Sequence, residues 1–286
     1  MSTNREEAVM HNKRAVEYIK MGDVENAIKE YNQAIQCDPN YACAYYNLGN
    51  AYIKKGDFTS AVREYTRAIK YDPSDAEAYY NRGNAYARIG NLGQSIEDYT
   101  KAIDLDKNYA LAYCYRALAS SGQDAIDDYK KAIALGMKDD AGTRYNLAWE
   151  YTTRFSEWYS ENREKLLNGT IKGENEDARN AIKEYSEAIR CDGNYVTAYY
   201  GRGLVYLDLG NVKGAIDDFK KTISLDPNHA KAYYHLGNAY LVDDTERAIG
   251  AYKKAHDLAT NNGDPATAQK AQDSLKIAKL KLKTLT

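Results

Sequence analysis

The residue types that carry acid–base, nucleophilic or metal chemistry are present in this chain but are not assembled. His11, His229, His235 and His256 are scattered over the first and the last two repeats of the chain, and no HExxH pair, G-x-S-x-G elbow or P-loop occurs. Cys37, Cys43, Cys114 and Cys191 form no CxxC pair and have no histidine at ligand spacing, so they read as packing residues or surface thiols. The expectation is a non-enzyme without metal or cofactor. What recurs instead is tyrosine beside asparagine. Ala44 to Tyr52 reads Ala-Tyr-Tyr-Asn-Leu-Gly-Asn-Ala-Tyr; Ala78 to Tyr86 repeats it with Arg82 for Leu48, and Ala232 to Tyr240 with His235 for Asn47. An amide that donates and accepts, next to a ring that supplies contact area at low entropic cost, is the chemistry of recognition.

A fixed period of this size means stacked small units rather than one closed core. Within 42–75, Leu48, Gly49, Tyr52, Ala61, Tyr65 and Ala68 fall at helical spacing in two runs separated by Lys55-Gly56-Asp57, which predicts helix, turn, helix. The order Tyr45, Leu48, Gly49, Tyr52, Ala61, Tyr65, Ala68, Pro73 resembles the tetratricopeptide repeat, with tyrosine in that pattern's Trp and Phe places. The resemblance implies an all-α, right-handed superhelix (an α-solenoid) of about seven units in a single array.

The units are expected at about 8–41, 42–75, 76–109, 110–139, 141–195, 196–229 and 230–262, with a capping helix over 265–283. The first drifts from the pattern, with His11 and Ala15 at its Trp and Gly places, as a terminal unit can. The fourth lacks about one helical turn, so its first helix should end near Ser120 with Gly122 in the turn. The fifth carries an insertion at about 152–176, read as a prolonged first helix followed by a polar loop. In the capping helix, Ala271, Leu275, Ala278 and Leu282 make one apolar stripe.

With 39 basic and 41 acidic residues, net charge −2, nothing suggests a bulk attraction to nucleic acid or to an anionic membrane. Met1 to Asp23 lacks the plan of a signal peptide and no apolar run reaches spanning length, so the expected location is the cytoplasm.

The resemblance further implies a concave groove lined by the first helix of each unit. Counting the Trp place as position four, position five gives Tyr46, Tyr80, Tyr145, Tyr200 and Tyr234, and position nine gives Asn50, Asn84, Trp149, Leu204 and Asn238. Lys54 and Arg88, at position thirteen, add positive charge that suits an acidic or C-terminal segment. The candidate partner-binding set is therefore Tyr46, Asn50, Lys54, Tyr80, Asn81, Asn84, Arg88, Tyr145, Trp149, Tyr200, Tyr234 and Asn238. Trp149 is either a groove anchor or core beneath the prolonged helix. Phe155, Trp158 and Tyr159 are either a second docking surface or packing against the short fourth unit. Members of the family that clamp acidic chaperone tails use two asparagines and three cations; Asn50 and Asn81 fit the former, but Tyr46, Leu111 and Tyr115 replace the latter. An interaction scaffold holding a peptide or protein partner is the leading functional expectation. Alternatives are a self-assembling homo-oligomer using the fifth-unit insertion or the end helix, and a regulatory module of a separate enzyme. Finally, Arg82, Arg116 and Arg202 at position seven are each expected to bridge an aspartate on the following helix, Asp98, Asp128 and Asp218.

Overall fold

The structure, a computed structural model, describes residues 2–167 and 175–285. The part of the expected insertion from 168 to 174 lies outside the described residues. Two compact units divide the chain, Met1–Gly136 and Met137–Thr286.

The first unit holds α1 (Ser2–Lys20), α2 (Val24–Cys37), α3 (Ala42–Lys55), α4 (Phe58–Tyr71), α5 (Ala76–Arg88), α6 (Leu92–Leu105), α7 (Ala110–Ala119) and α8 (Gly122–Ala134). Each odd-numbered helix packs chiefly on the one that follows it, and each even-numbered helix touches the next pair. The turns follow from local chemistry. Gly56 ends α3 at φ 82°, the left-handed conformation that a side chain disfavours, and the adjacent Asp57 caps α4 by accepting from the Ser60 N–H. Gly90 and Asn91 do the same between α5 and α6. The short α7 ends at Ala119 with Ser120 as its C-cap, and Gly122, at φ 73°, opens α8.

Within each pair one aromatic ring fills the crossing. Tyr65 and Tyr99 are almost fully buried, and a Cβ built on Gly49 or Gly83 would stand 2.6 or 2.8 Å from those rings. Glycine at those two positions is what lets the ring lie flat against the first helix. Alanines complete the interface: Ala27, Ala61, Ala102 and Ala125 are all fully buried.

The second unit opens with a 3-10 turn (Met137–Asp139), followed by α9 (Ala141–Leu167), α10 (Glu176–Cys191), α11 (Val196–Asp208), α12 (Val212–Leu225), α13 (Ala230–Tyr240), α14 (Thr245–Asn261) and α15 (Pro265–Leu285). The same pairing holds, with α15 packed on α14. Here α9 runs to 27 residues, against 13 for α11, and the Arg154–Asp177 ion pair at 3.1 Å ties it to the start of α10. In α15, Ala271 and Ala278 are fully buried and Leu275 packs beside Tyr252, leaving the lysines on the outer face. No helix among the described residues is long and apolar enough to cross a membrane.

The bridges expected at position seven are present in both units. Arg82 grips Asp98 with two bonds of 2.8 and 2.7 Å, Arg116 grips Asp128 at 2.7 and 2.8 Å, and Arg202 grips Asp218 at 2.8 Å twice. The third guanidinium nitrogen donates to a hydroxyl on the second helix of the preceding pair: Thr66 at 3.1 Å, Thr100 at 3.0 Å and Ser186 at 2.8 Å. Each arginine therefore joins three helices. Removed from water, these charges are held by the planar bidentate fit that guanidinium and carboxylate offer.

Candidate functional site

In the first unit the first helices of successive pairs, α1, α3, α5 and α7, line two concave pockets that share Ile53 and Asn84. The first, about 450 Å³, is lined among others by Val16, Asn47, Asn50, Lys54, Asn81 and Asn84. The second, about 590 Å³, is lined by Ile53, Phe58, Asn84, Ala87, Arg88, Tyr99, Tyr115 and Leu118. Of the candidate residues in this unit, Asn50, Lys54, Asn81, Asn84 and Arg88 thus border one continuous trough. Lys54 and Arg88 are exposed and form no ion pair with any described residue.

The asparagines are held by hydrogen bonds. Tyr65 Oη donates to Asn50 Oδ1 at 2.6 Å and Tyr99 Oη donates to Asn84 Oδ1 at 2.8 Å, from the second helix of the same pair. Burial pushes the Tyr65 phenol well above its usual range and that of Tyr99 up to about 12, so both hydroxyls stay protonated as donors. That bond engages the amide oxygen of Asn50 and of Asn84, and the Tyr46 and Tyr80 side chains lie within hydrogen-bonding reach of the same two asparagines, so both amides are held in place by the tyrosines around them. The asparagines at position six work between pairs: Asn81 Nδ2 donates to Tyr46 Oη at 2.9 Å and Asn47 Nδ2 donates to Asn12 Oδ1 at 3.0 Å.

The tyrosines of position five are less available than the sequence reading assumed. Tyr46 lies 5.9 Å from the Tyr65 ring, and Tyr80 is surrounded by Tyr99, Tyr109 and Tyr115 at 6.0, 5.1 and 5.6 Å. Both are half-buried wedges between neighbouring pairs, and burial raises both phenols. They shape the wall more than they offer a free surface.

In the second unit, Tyr145, Tyr200 and Tyr234 repeat this wedge role against Tyr185, Phe219 and Tyr252. Asn238 Oδ1 accepts from Tyr252 Oη at 2.8 Å, as Asn50 and Asn84 do from their tyrosines. At Trp149 the pattern is broken: Tyr185 takes a hydrogen bond from Thr152 Oγ1 at 3.2 Å instead, and the indole is left 54% exposed. Trp149 is therefore not core.

The sequence profile described as TPR repeat matches residues 16–56, 49–90, 171–210 and 203–242, which together make up half of the chain. The chain belongs to the tetratricopeptide repeat family. A second profile, described as Tetratricopeptide repeat, matches 76–109. Among solved structures, a tetratricopeptide repeat protein from Parabacteroides merdae is similar at 18% identity and TM-score 0.58, covering 96% of this chain and 99% of that one. The C-terminal part of a TPR repeat-containing protein from Cytophaga hutchinsonii is similar at 18% identity and TM-score 0.67, over 92% and 98%. A chain of the APC/C hetero-tetramer Cut9–Hcn1 matches at 18% identity and TM-score 0.52, over 92% of this chain and 48% of that one. These likenesses show an all-α tetratricopeptide fold. No curated protein sequence matches the chain.

Two readings of this tetratricopeptide chain need correction. Phe155 is fully buried, with the rings of Trp158 and Tyr159 at 6.2 and 5.8 Å, so it belongs to the packing of α9 and not to a docking surface. Trp158 and Tyr159 are half-buried beside it. The second correction concerns the trough's apolar end. Ile53 and Ala87 stand one place before Lys54 and Arg88, and neither they nor Phe58 and Leu118 were singled out in the sequence. Leu118 stands where asparagine stands in α3 and α5, and that departure was the signal available. Tetratricopeptide repeats act as protein-interaction scaffolds, and this chain carries that fold with a polar, cation-bearing trough in its first unit.

Proposed function

We propose that the chain is a non-enzymatic interaction scaffold of the cytoplasm that holds an extended peptide or protein segment in the trough of its first unit. The observation that carries this reading is the row Asn50, Lys54, Asn81, Asn84 and Arg88, in which two exposed cations form no ion pair with any described residue and two amides are held in place by buried tyrosine hydroxyls. An extended segment presents a carbonyl acceptor and, proline apart, an N–H donor at each residue, so asparagine amides lining the trough suit its backbone whatever its sequence. Its four cysteines, none in a disulfide, suit a reducing compartment. Trp149 on α9 supplies a second anchor in the other unit, because a large exposed indole is a residue type enriched at binding hot spots.

The test is affinity capture from the native cytoplasm with the unaltered chain, Lys54→Glu/Arg88→Glu and Trp149→Ala, each checked for helix content by circular dichroism. The charge reversal is preferred to Asn→Ala, which would also strip a buried tyrosine hydroxyl of its acceptor. Partners lost on the charge reversal while helix content is unchanged support the trough. Equal recovery by all three chains discards it.

A further inference from the structure

We infer that the second pocket of the trough, at its α7 end, seats a large aliphatic or aromatic side chain of a partner segment whose neighbouring residues are Asp or Glu. The inference rests on the trough reading above and names the chemistry of what the trough takes. Three observations lead to it. The pocket, about 590 Å³, lies in the range of roughly 300–1,000 Å³ typical of ligand sites, and apart from Asn84 and Arg88 its lining is apolar or aromatic. Because α7 has 10 residues where α3 has 14, the wall is one turn lower there, and Leu118 on its last turn is left 60% exposed. Finally, the two pockets hold Lys54 and Arg88 between them and not one carboxylate, in a chain with more acidic than basic residues.

An isolated apolar hole would take many occupants; a hole beside an unpaired guanidinium selects among them. Arg88 sits on the last turn of α5 with its guanidinium carbon 5.9 Å from the Phe58 ring centre, so its head lies at the pocket's edge rather than out in solvent alone. A carboxylate one or two residues from the inserted side chain meets Arg88 without leaving water, and a second reaches Lys54 along the same extended segment. Asn50 and Asn84 line the trough between the two cations, beneath the backbone of such a segment. Internal Asp and Glu side chains fit this layout, since the cations stand at the same position on the first helices of two successive pairs, α3 and α5, rather than converging on one point.

Fluorescence anisotropy with the full chain tests this. The probe is a labelled, C-terminally amidated octapeptide, Ser-Glu-Asp-Leu-Phe-Glu-Asp-Ser. Companion peptides replace Leu-Phe by Ser-Ser, replace every Asp and Glu by Asn and Gln, or carry a free C-terminal carboxylate on the neutral sequence. The first two replacements are each expected to weaken binding roughly tenfold or more, from the lost burial of a large side chain and the lost charge pairs. Arg88→Glu and Leu118→Glu, both at exposed positions, should produce losses of the same order, whereas Lys101→Glu, an equal charge change on exposed α6 surface outside either lining, should not. Binding should also weaken steadily with added sodium chloride. The inference is overturned if the acidic-apolar probe does not bind, if either replacement peptide binds equally well, if the neutral peptide with a free terminus binds best, or if Arg88→Glu leaves affinity unchanged. Capture of partners through the trough combined with failure of this probe would leave the scaffold reading standing and remove only the chemistry assigned here.

Discussion

His235 offers a sharp test of the packing described for the second unit. It takes the place that Asn47 and Asn81 hold on α3 and α5, and its ring lies among Tyr200, Phe219 and Tyr234 at 5.9, 5.9 and 5.0 Å. Burial, reinforced by the positive charge of Lys270, His229 and Lys231, lowers its pKa from 6.5 to about 4. A base with a depressed folded pKa binds fewer protons folded than unfolded, so stability is full above the unfolded pKa and falls as the pH drops from 6.5 towards 4. At pH 5 the gap of about 1.5 pH units below the unfolded value corresponds to roughly 2 kcal/mol, an upper figure because part of the ring keeps contact with water. His235→Asn, copying the residue used elsewhere in the repeat, removes the sensitivity. Both tryptophans, Trp149 and Trp158, lie in the same unit, so urea unfolding followed by tryptophan fluorescence reads this unit specifically. The stability of His235→Asn relative to the parent should rise by about 2 kcal/mol between pH 7.5 and pH 5. His229, whose pKa burial also lowers, is common to both chains and cancels in the difference. A difference that stays constant over this range would refute the claim that the ring is held neutral by its packing.

Arg82→Leu should cost about 3 kcal/mol in the first unit by leaving Asp98 buried and unpaired. Adding Asp98→Ala should recover most of it, because the pair then copies Leu236 and Ala251 of α13 and α14; urea midpoints by circular dichroism at 222 nm decide. Ser95→Ala should stabilise the first unit by about 1 kcal/mol, since Ser95 Oγ is fully buried without a hydrogen-bond partner where alanine stands in the other pairs. Tyr99→Phe alone should cost about 1 kcal/mol and the double change Tyr99→Phe/Asn84→Leu less, because α11 and α12 already carry the Leu204 and Phe219 combination.

Much of this architecture was legible because it repeats. Helical spacing, the Gly-Asp and Gly-Asn turns and the arginine at position seven recur often enough that each copy checks the others, and the Arg82, Arg116 and Arg202 bridges followed from counting alone. The tyrosine-to-asparagine bonds were not read, although Leu204 standing opposite Phe219 carried the clue: where the hydroxyl is absent, so is its acceptor. Which face a half-apolar ring takes is a harder question. Tyr46 and Tyr80 share periodicity with both the trough and the seam between pairs, and only the close fit against Tyr65 and Tyr99 decides for the seam. Trp149 and Phe155 lie on one helix six positions apart and end in opposite environments, because burial there depends on what α10 covers and not on spacing within α9.

The third bond made by each bridging arginine has a kinetic corollary. Arg82 fastens α5 to both α4 and α6, and Arg116 fastens α7 to both α6 and α8, so five consecutive helices of the first unit are riveted in series. Where leucine replaces arginine, as at Leu48, that three-helix tie is missing, and α3 meets the preceding pair through apolar packing, the Asn47–Asn12 bond and the Lys55–Glu25 ion pair. Amide protons from α4 to α8 should then exchange with solvent as one slow block, while α1 and α2 breathe ahead of it. A segment lying across Asn50 and Arg88 would straddle the start of that block and slow the opening of its neighbour.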